Sequence, residues 1–141
     1  MMTLQTLLLC WNLTADLPPE AFSRCVQVSP GAVAAAEDRG IEPAVLLAVG
    51  WHESKWTTPK RRRVCGMWQT AGVDCDAVEA SPAVAASEGA RILSNWRRAA
   101  VRRGGGMREA LAGYACGWKG LSGACGWYAR SVLALAAKGR G

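Results

Sequence analysis

The sequence predicts an all-α single domain, and three observations carry that expectation. Apolar residues recur at helical spacing along the chain, Ser-Pro and Glu-Pro pairs open segments that glycines close, and no stretch alternates cleanly enough for a strand. At 141 residues and 50% hydrophobic content the chain has the size of one domain and enough apolar surface for a core. Residues 1–40 are read as N-terminal helices packed on the same domain as a core of residues 41–138.

The elements follow in order. Leu4, Leu7, Leu8 and Trp11 keep the i, i+3, i+4, i+7 spacing of a helix that lays this face on the domain. The stretch around them, "MMTLQTLLLCWNLTADLPPEAF", has no basic lead-in and no small-residue cleavage site, so a standard secretory signal is not expected. Its apolar run is also too short to span a bilayer. In "SPGAVAAAEDRG" Ser29 is expected as N-cap, Pro30 at the first helical position and Gly40 as terminator. "EPAVLLAVGWHESKW" opens at Pro43 and must stop before Pro59.

"SPAVAASEGARILSNWRRA" opens after Ser81, its turns paced by Val84, Ser87 and Glu88, Arg91 and Ile92, and Asn95 and Trp96. Its basic residues gather at the C-terminal end, where the helix dipole favours them. "MREALAGYACG" and "WYARSVLALAAKG" supply two further helices that end at glycine. Residues 57–80 remain as one long connection carrying Cys65, Gly66, Trp68 and Cys75, and long loops of that kind tend to be functional.

The six cysteines are spaced to suggest three local bridges, Cys65 with Cys75, Cys116 with Cys125, and the remaining Cys10 with Cys25. Free buried thiols are the alternative reading. A zinc site would want paired C-x-x-C spacing or several histidines, and the chain has one His, so no metal is expected. Bridges point to an oxidising destination while the absent signal points the other way. The net charge of +6 is concentrated in "KRRR" at 60–63 and in arginine pairs at 97–98 and 102–103, so a polyanion, nucleic acid or bacterial cell wall, is a plausible partner.

Glu53 closes an apolar helix. It lies four residues after Val49, eight after Val45 and three before Trp56, on their stripe, so its side chain is expected to be partly buried. Burial and the C-terminal end of the dipole both favour the neutral acid, which makes Glu53 a candidate general acid. A solvated helix end is the plainer alternative. His52 sits about 100° off that stripe and is read as a rim or packing residue. Asp74 and Asp76 are read as solvated loop charges.

Several motifs then stand in a telling order: "HES" with Trp56, "CGMWQT" at 65–70, the Ser81 helix, "EALAGYACG" at 109–117 and "WYARSVLAL" at 127–135. In that order and spacing, over residues 41 to 136, the chain resembles the lysozyme-like catalytic domain of soluble-type lytic transglycosylases and goose-type lysozymes. The resemblance implies an all-α lysozyme-like fold with one long active-site loop, and no cofactor. It makes Glu53 the single catalytic acid and base. Ser54 would orient it or touch the glycan. Gly66, Met67, Trp68 and Gln69 would line the sugar cleft, with the Gln69 amide facing an N-acetyl group, and the Tyr114 hydroxyl would hydrogen-bond near Glu53. Two positions depart from the family pattern: Trp68 stands where Met is usual, and Ala115 where Asn is usual.

With one carboxylate the substrate must assist, its N-acetyl carbonyl stabilising the cation and its own 6-hydroxyl attacking, to give a 1,6-anhydro-muramic end. The expected partner is therefore the peptidoglycan glycan strand, met by a monomer in the periplasm or cell wall, with wall-crossing or virion assemblies as the setting. A water-using lysozyme with the same Glu53 is the nearest alternative. A basic nucleic-acid-binding helical protein and a non-catalytic glycan-binding relative are alternatives of other classes. Among Trp11, Trp51, Trp56, Trp68, Trp96, Trp118 and Trp127, most are expected in the core, while Trp56, Trp68 and Trp118 fall beside motifs and could stack on sugar rings.

Overall fold

The computed structural model describes residues 2–61 and 63–141, and within them the chain is all-helical. The helices are α1 (Leu4–Leu13), α2 (Glu20–Asp38), α3 (Pro43–Ser54), α4 (Cys75–Ala80), α5 (Pro82–Arg102), α6 (Met107–Cys116), α7 (Trp118–Leu121) and α8 (Gly126–Gly139). The α3 helix is the axle of the packing. Every residue from Ala44 to Trp51 is buried, against α2 and α8 with further contact to α1 and α5. The α1 and α2 helices share this core, because Leu13, Ala21, Cys25, Val28, Ala32 and Ala36 belong to the same buried cluster as Leu46, Leu93, Leu111 and Val132. The three cysteine pairs form disulfides with Cα–Cα separations of 5.7, 5.7 and 6.2 Å: Cys10–Cys25, Cys65–Cys75 and Cys116–Cys125.

Helix signals read from sequence hold at two openings. Pro43 begins α3, and the Ser81 hydroxyl accepts from the Val84 N–H at the start of α5. Ser29 does not cap a helix. The α2 helix starts at Glu20, behind Pro18 and Pro19, and runs through Pro30, with Ser29 fully buried in its interior. Ala21, Cys25, Val28, Ala32 and Ala36 form one buried stripe across that proline, and burial along 19 residues outweighs the hydrogen bond that Pro30 cannot make. The Ser29 hydroxyl turns back to the Cys25 carbonyl at 2.5 Å instead.

The face of α1 is also corrected. Leu4, Leu7, Leu8 and Trp11, expected inward, point to solvent, and Thr6, Cys10 and Leu13 are buried. The Cys10–Cys25 bridge sits on the buried face and fixes the rotation of α1 on α2. On α5 the buried face is Ala85, Ala86, Gly89, Ala90 and Leu93, one position round from the expected pacing residues. Small residues carry that contact, so large side chains mark the wrong face. The connection 57–80 is shorter than expected, since its last quarter is α4, opened by an Asp74 carboxylate that accepts from the Ala77 N–H.

Candidate active site

The site is built at the C-terminal end of α3. Two successive residues, Lys55 and Trp56, take left-handed backbone angles (φ 54° at both), and the Lys55 N–H closes the helix on the Trp51 carbonyl at 2.7 Å. Trp56 folds back along α3, donates its indole N–H to the Leu47 carbonyl at 2.9 Å and meets Trp51 edge to face. This reversal leaves Glu53 in the last helical turn, half-buried, with Tyr128 of α8 donating its hydroxyl to Oε2 at 2.6 Å.

Burial raises the Glu53 pKa above its ordinary value, and the Tyr128 hydrogen bond pulls the other way. The neutral carboxyl expected from sequence is thus favoured by desolvation. Tyr128 is itself pushed well up by burial, then by the Glu53 charge and their hydrogen bond, so it stays a proton donor. Its ring also packs edge-on against His52 and against Trp127. Burial lowers the His52 pKa, against a backbone contact with Ser131, so its neutral form is favoured beside the site.

The second wall is the turn Cys65–Thr70. Cys65 and Thr70 exchange two backbone hydrogen bonds of 3.0 and 2.9 Å, and the four residues between them, Gly66, Met67, Trp68 and Gln69, form the loop. Gly66 has φ +75°, and a Cβ there would lie 2.2 Å from Val78 Cγ1, so this position admits no side chain. Trp68 is 1% exposed and donates its indole N–H to the Leu46 carbonyl at 2.9 Å. Its ring lies against Gly89 of α5, where a Cβ would sit 2.7 Å from Trp68 Cγ.

Three hydrogen bonds hold this turn. Ser54 donates to the Met67 carbonyl at 2.7 Å and accepts from the Thr57 N–H, so it ties the turn to the end of α3. Tyr114 of α6 donates to the Trp68 carbonyl at 2.5 Å. Gln69 spends its amide N–H on the Gly66 carbonyl at 2.8 Å. Burial raises the Tyr114 pKa well above its ordinary value, and the Glu53 charge adds to the rise.

Gln69 and Tyr114 line a groove of about 390 Å³ together with Arg91, Ile92, Trp96 and Gly117. The structure therefore brings together Glu53, Ser54, Gly66, Met67, Gln69 and Tyr114 at the ends of α3 and α6. It withdraws Trp68 and Trp56, whose buried rings cannot stack on a ligand. The hydroxyl that reaches Glu53 belongs to Tyr128, whereas Tyr114 bonds the turn. Tyr128 was missed although it lies in "WYARSVLAL". Its signal was a tyrosine in step with the apolar Val132, Leu135 and Ala136 at i+4, i+7 and i+8, since a buried phenol must find an acceptor. Ala115 is exposed and brings no polar group.

The acidic loop residues stay away from Glu53. Asp74 caps α4, and Asp76 pairs with Arg61 at 2.7 Å, while Glu79 holds the same guanidinium at 2.8 Å. Those carboxylates raise the Arg61 pKa, so one member of the basic run is already paired. Lys60 and Arg63 are exposed, and Arg62 lies outside the described residues. No protein-family model, curated protein or solved structure matches the chain.

Proposed function

We propose that this chain is a lytic transglycosylase that cleaves the β-1,4 bond from N-acetylmuramic acid to N-acetylglucosamine in peptidoglycan, with Glu53 as its one acid and base. The observation that carries the reading is the half-buried Glu53 carboxyl, clamped by Tyr128 and with its charge felt by Tyr114, a residue that lines the groove together with Gln69. A carboxyl that partial desolvation shifts toward its neutral form is suited to protonate a poor leaving oxygen. The motif order read from sequence supports the same assignment, because its separate pieces meet at the end of α3. Three disulfides fit work in an oxidising periplasm or cell wall.

The proposed reaction has two proton transfers. Glu53 gives its proton to the glycosidic oxygen as the bond to the muramic C1 breaks, and the N-acetyl carbonyl of the same sugar supports the developing positive charge. The resulting carboxylate takes the proton of the muramic 6-hydroxyl as O6 bonds to C1. Glu53 is then neutral again, and no water is consumed. Tyr128 keeps its proton and steadies the carboxylate that forms between the steps. Ser54 acts on position, through the turn that carries Gln69, whose amide oxygen remains free to accept from an N-acetyl N–H.

Glu53→Gln preserves the shape and cannot carry a proton, so turnover on isolated sacculi should fall by about 10²–10⁴ with glycan binding retained. Product masses test the rest: an anhydro end is one water lighter than a reducing end. Reducing muramic ends as primary product would replace the transglycosylase by a hydrolase using the same Glu53. Full activity of Glu53→Gln would remove both.

A further inference from the structure

Trp96 is the common wall of two grooves. One is the groove of Gln69 and Tyr114, and the other, also of about 390 Å³, is lined by Asn95, Arg98, Ala99, Arg102 and Trp118. Trp118, at the start of α7, is 62% exposed and stands edge to face with Trp96 at 5.1 Å. The Arg103 guanidinium lies over the Trp118 ring at 5.4 Å. Arg98 and Arg102 are exposed, and among the described residues none of Arg98, Arg102 and Arg103 has a carboxylate within ion-pair distance.

The neighbouring arginines are employed differently. Arg97 caps α2 through the Arg39 and Gly40 carbonyls at 2.7 and 2.8 Å, and Arg91 pairs with Glu88 at 2.7 Å. The helix dipole explains some positive charge at the end of α5, but not an uncovered tryptophan set edge to face against another tryptophan in the same groove. Exposed guanidinium groups with no carboxylate partner among the described residues, Arg98 donating to the Asn95 side chain, stand beside an aromatic face and match a ligand with a flat or apolar stem and carboxylate groups.

We infer that this second groove binds the carboxylate-bearing peptide stem of the glycan strand cleaved at Glu53. The inference rests on the function proposed above, and it assigns Arg98, Arg102, Arg103 and Trp118 to substrate recognition. Stems hang from the same sugar whose bond is broken, so a groove sharing a wall with the glycan groove is where one would lie. Phosphate on wall polymers offers similar anionic oxygens, so the test uses glycan strands freed of phosphate polymers.

The experiment compares the wild type with the triple variant R98Q/R102Q/R103Q and with Trp118→Ala, on strands with intact stems and on strands stripped of them by an amidase. All four side chains are solvent-facing, so both variants should fold. On stem-bearing strands KM should rise about 5- to 20-fold in the triple variant and by a smaller factor in Trp118→Ala, with kcat unchanged. On stripped strands both variants should stay within about twofold of the wild type. An equal rise on both substrates, or no rise on stem-bearing strands, overturns the inference. If the wild type cleaves neither strand, the reading of Glu53 has failed. Calorimetric binding of stem-bearing fragments to Glu53→Gln, with and without the triple change, then still decides the groove: binding lost in the triple variant upholds it, and unchanged binding overturns it. Wild-type binding to duplex DNA that outcompetes the fragments and is lost in the triple variant also overturns it.

Discussion

Helices α1 and α3 read almost alike and end up in opposite surroundings. Both are rich in apolar residues, leucine in α1 and leucine, alanine and valine in α3, each with one tryptophan and few charges, yet α3 is buried from Ala44 to Trp51 while α1 holds Leu4, Leu7, Leu8 and Trp11 in solvent. What differs is the company each keeps. The α3 helix is surrounded by α1, α2, α5 and α8, and Gly50 leaves room for the Trp56 and Trp68 rings at its C-terminal end. The α1 helix has α2 and α8 on one side, and its disulfide fixes which side that is. Apolar content thus marks a helix that can be buried, and the arrangement of partners decides whether it is. The acid of the site depends on that distinction, since Glu53 is perturbed because α3 is enclosed to its last turn.

The strongest way to break the enclosed end of α3 is to empty it. Trp68→Ala removes the ring packed on Gly89, together with its hydrogen bond to the Leu46 carbonyl. The cost should be about 3–5 kcal/mol in urea unfolding, with activity lost as the turn loosens from α3. A cost under about 1 kcal/mol would mean the turn is held by Ser54, Tyr114 and the disulfide alone.

That disulfide is the next largest effect. Cys65–Cys75 closes a short loop from the turn to the first residue of α4, so the paired change to serine should cost about 2–3 kcal/mol, and non-reducing peptide mapping should recover the linked peptides. Recovery of the two cysteines as free thiols would contradict the pairing.

Much of this was legible beforehand, and the misses have physical causes. The all-α class, the proline and serine starts of α3 and α5 and all three cysteine pairs follow from local chemistry: caps, fixed φ angles and short separations. Glu53 was legible because one residue's position on an apolar stripe fixes its burial. Ser29 misled because a proline after a serine resembles a helix start, and only the tertiary stripe from Ala21 to Ala36 shows the helix continuing. The buried face of α5 was not picked out, because alanine and glycine make that contact while larger residues such as Ile92 and Trp96 line the groove. Tyr128 was passed over because its partner stands 75 residues away in sequence.

A pH series sharpens the contrast without changing packing. The folded state raises the Glu53 pKa above the unfolded value of about 4.5, so between those two values the folded protein binds more protons than the unfolded chain. Stability from this group is therefore greatest below about 4.5 and falls as pH rises through the folded pKa. Glu53→Gln lacks the penalty, so its stability advantage over the wild type should grow with pH across that window in thermal melts. Tyr128→Phe removes a hydrogen bond that favours the carboxylate, so the basic limb of kcat/KM should move to higher pH. A limb that moves to lower pH would deny Tyr128 its role as a stabiliser of the charged form.

The smallest effect is expected on α1, where two leucines of one helix offer an internal control. Leu8 is 52% exposed, and Leu13 is fully buried beside Gly139 and the core. Alanine is at least as good a helix former as leucine, so Leu8→Ala removes surface already in water and should change stability by no more than about 0.5 kcal/mol. Leu13→Ala leaves a cavity between α1 and α8 and should cost about 2–5 kcal/mol. Measured side by side in urea, the two variants report burial directly, because chemistry and helix are held constant and only the facing side differs. Equal losses would mean that the outward face of α1 is covered in solution by another molecule, and dilution would then lower the stability of the wild type as well.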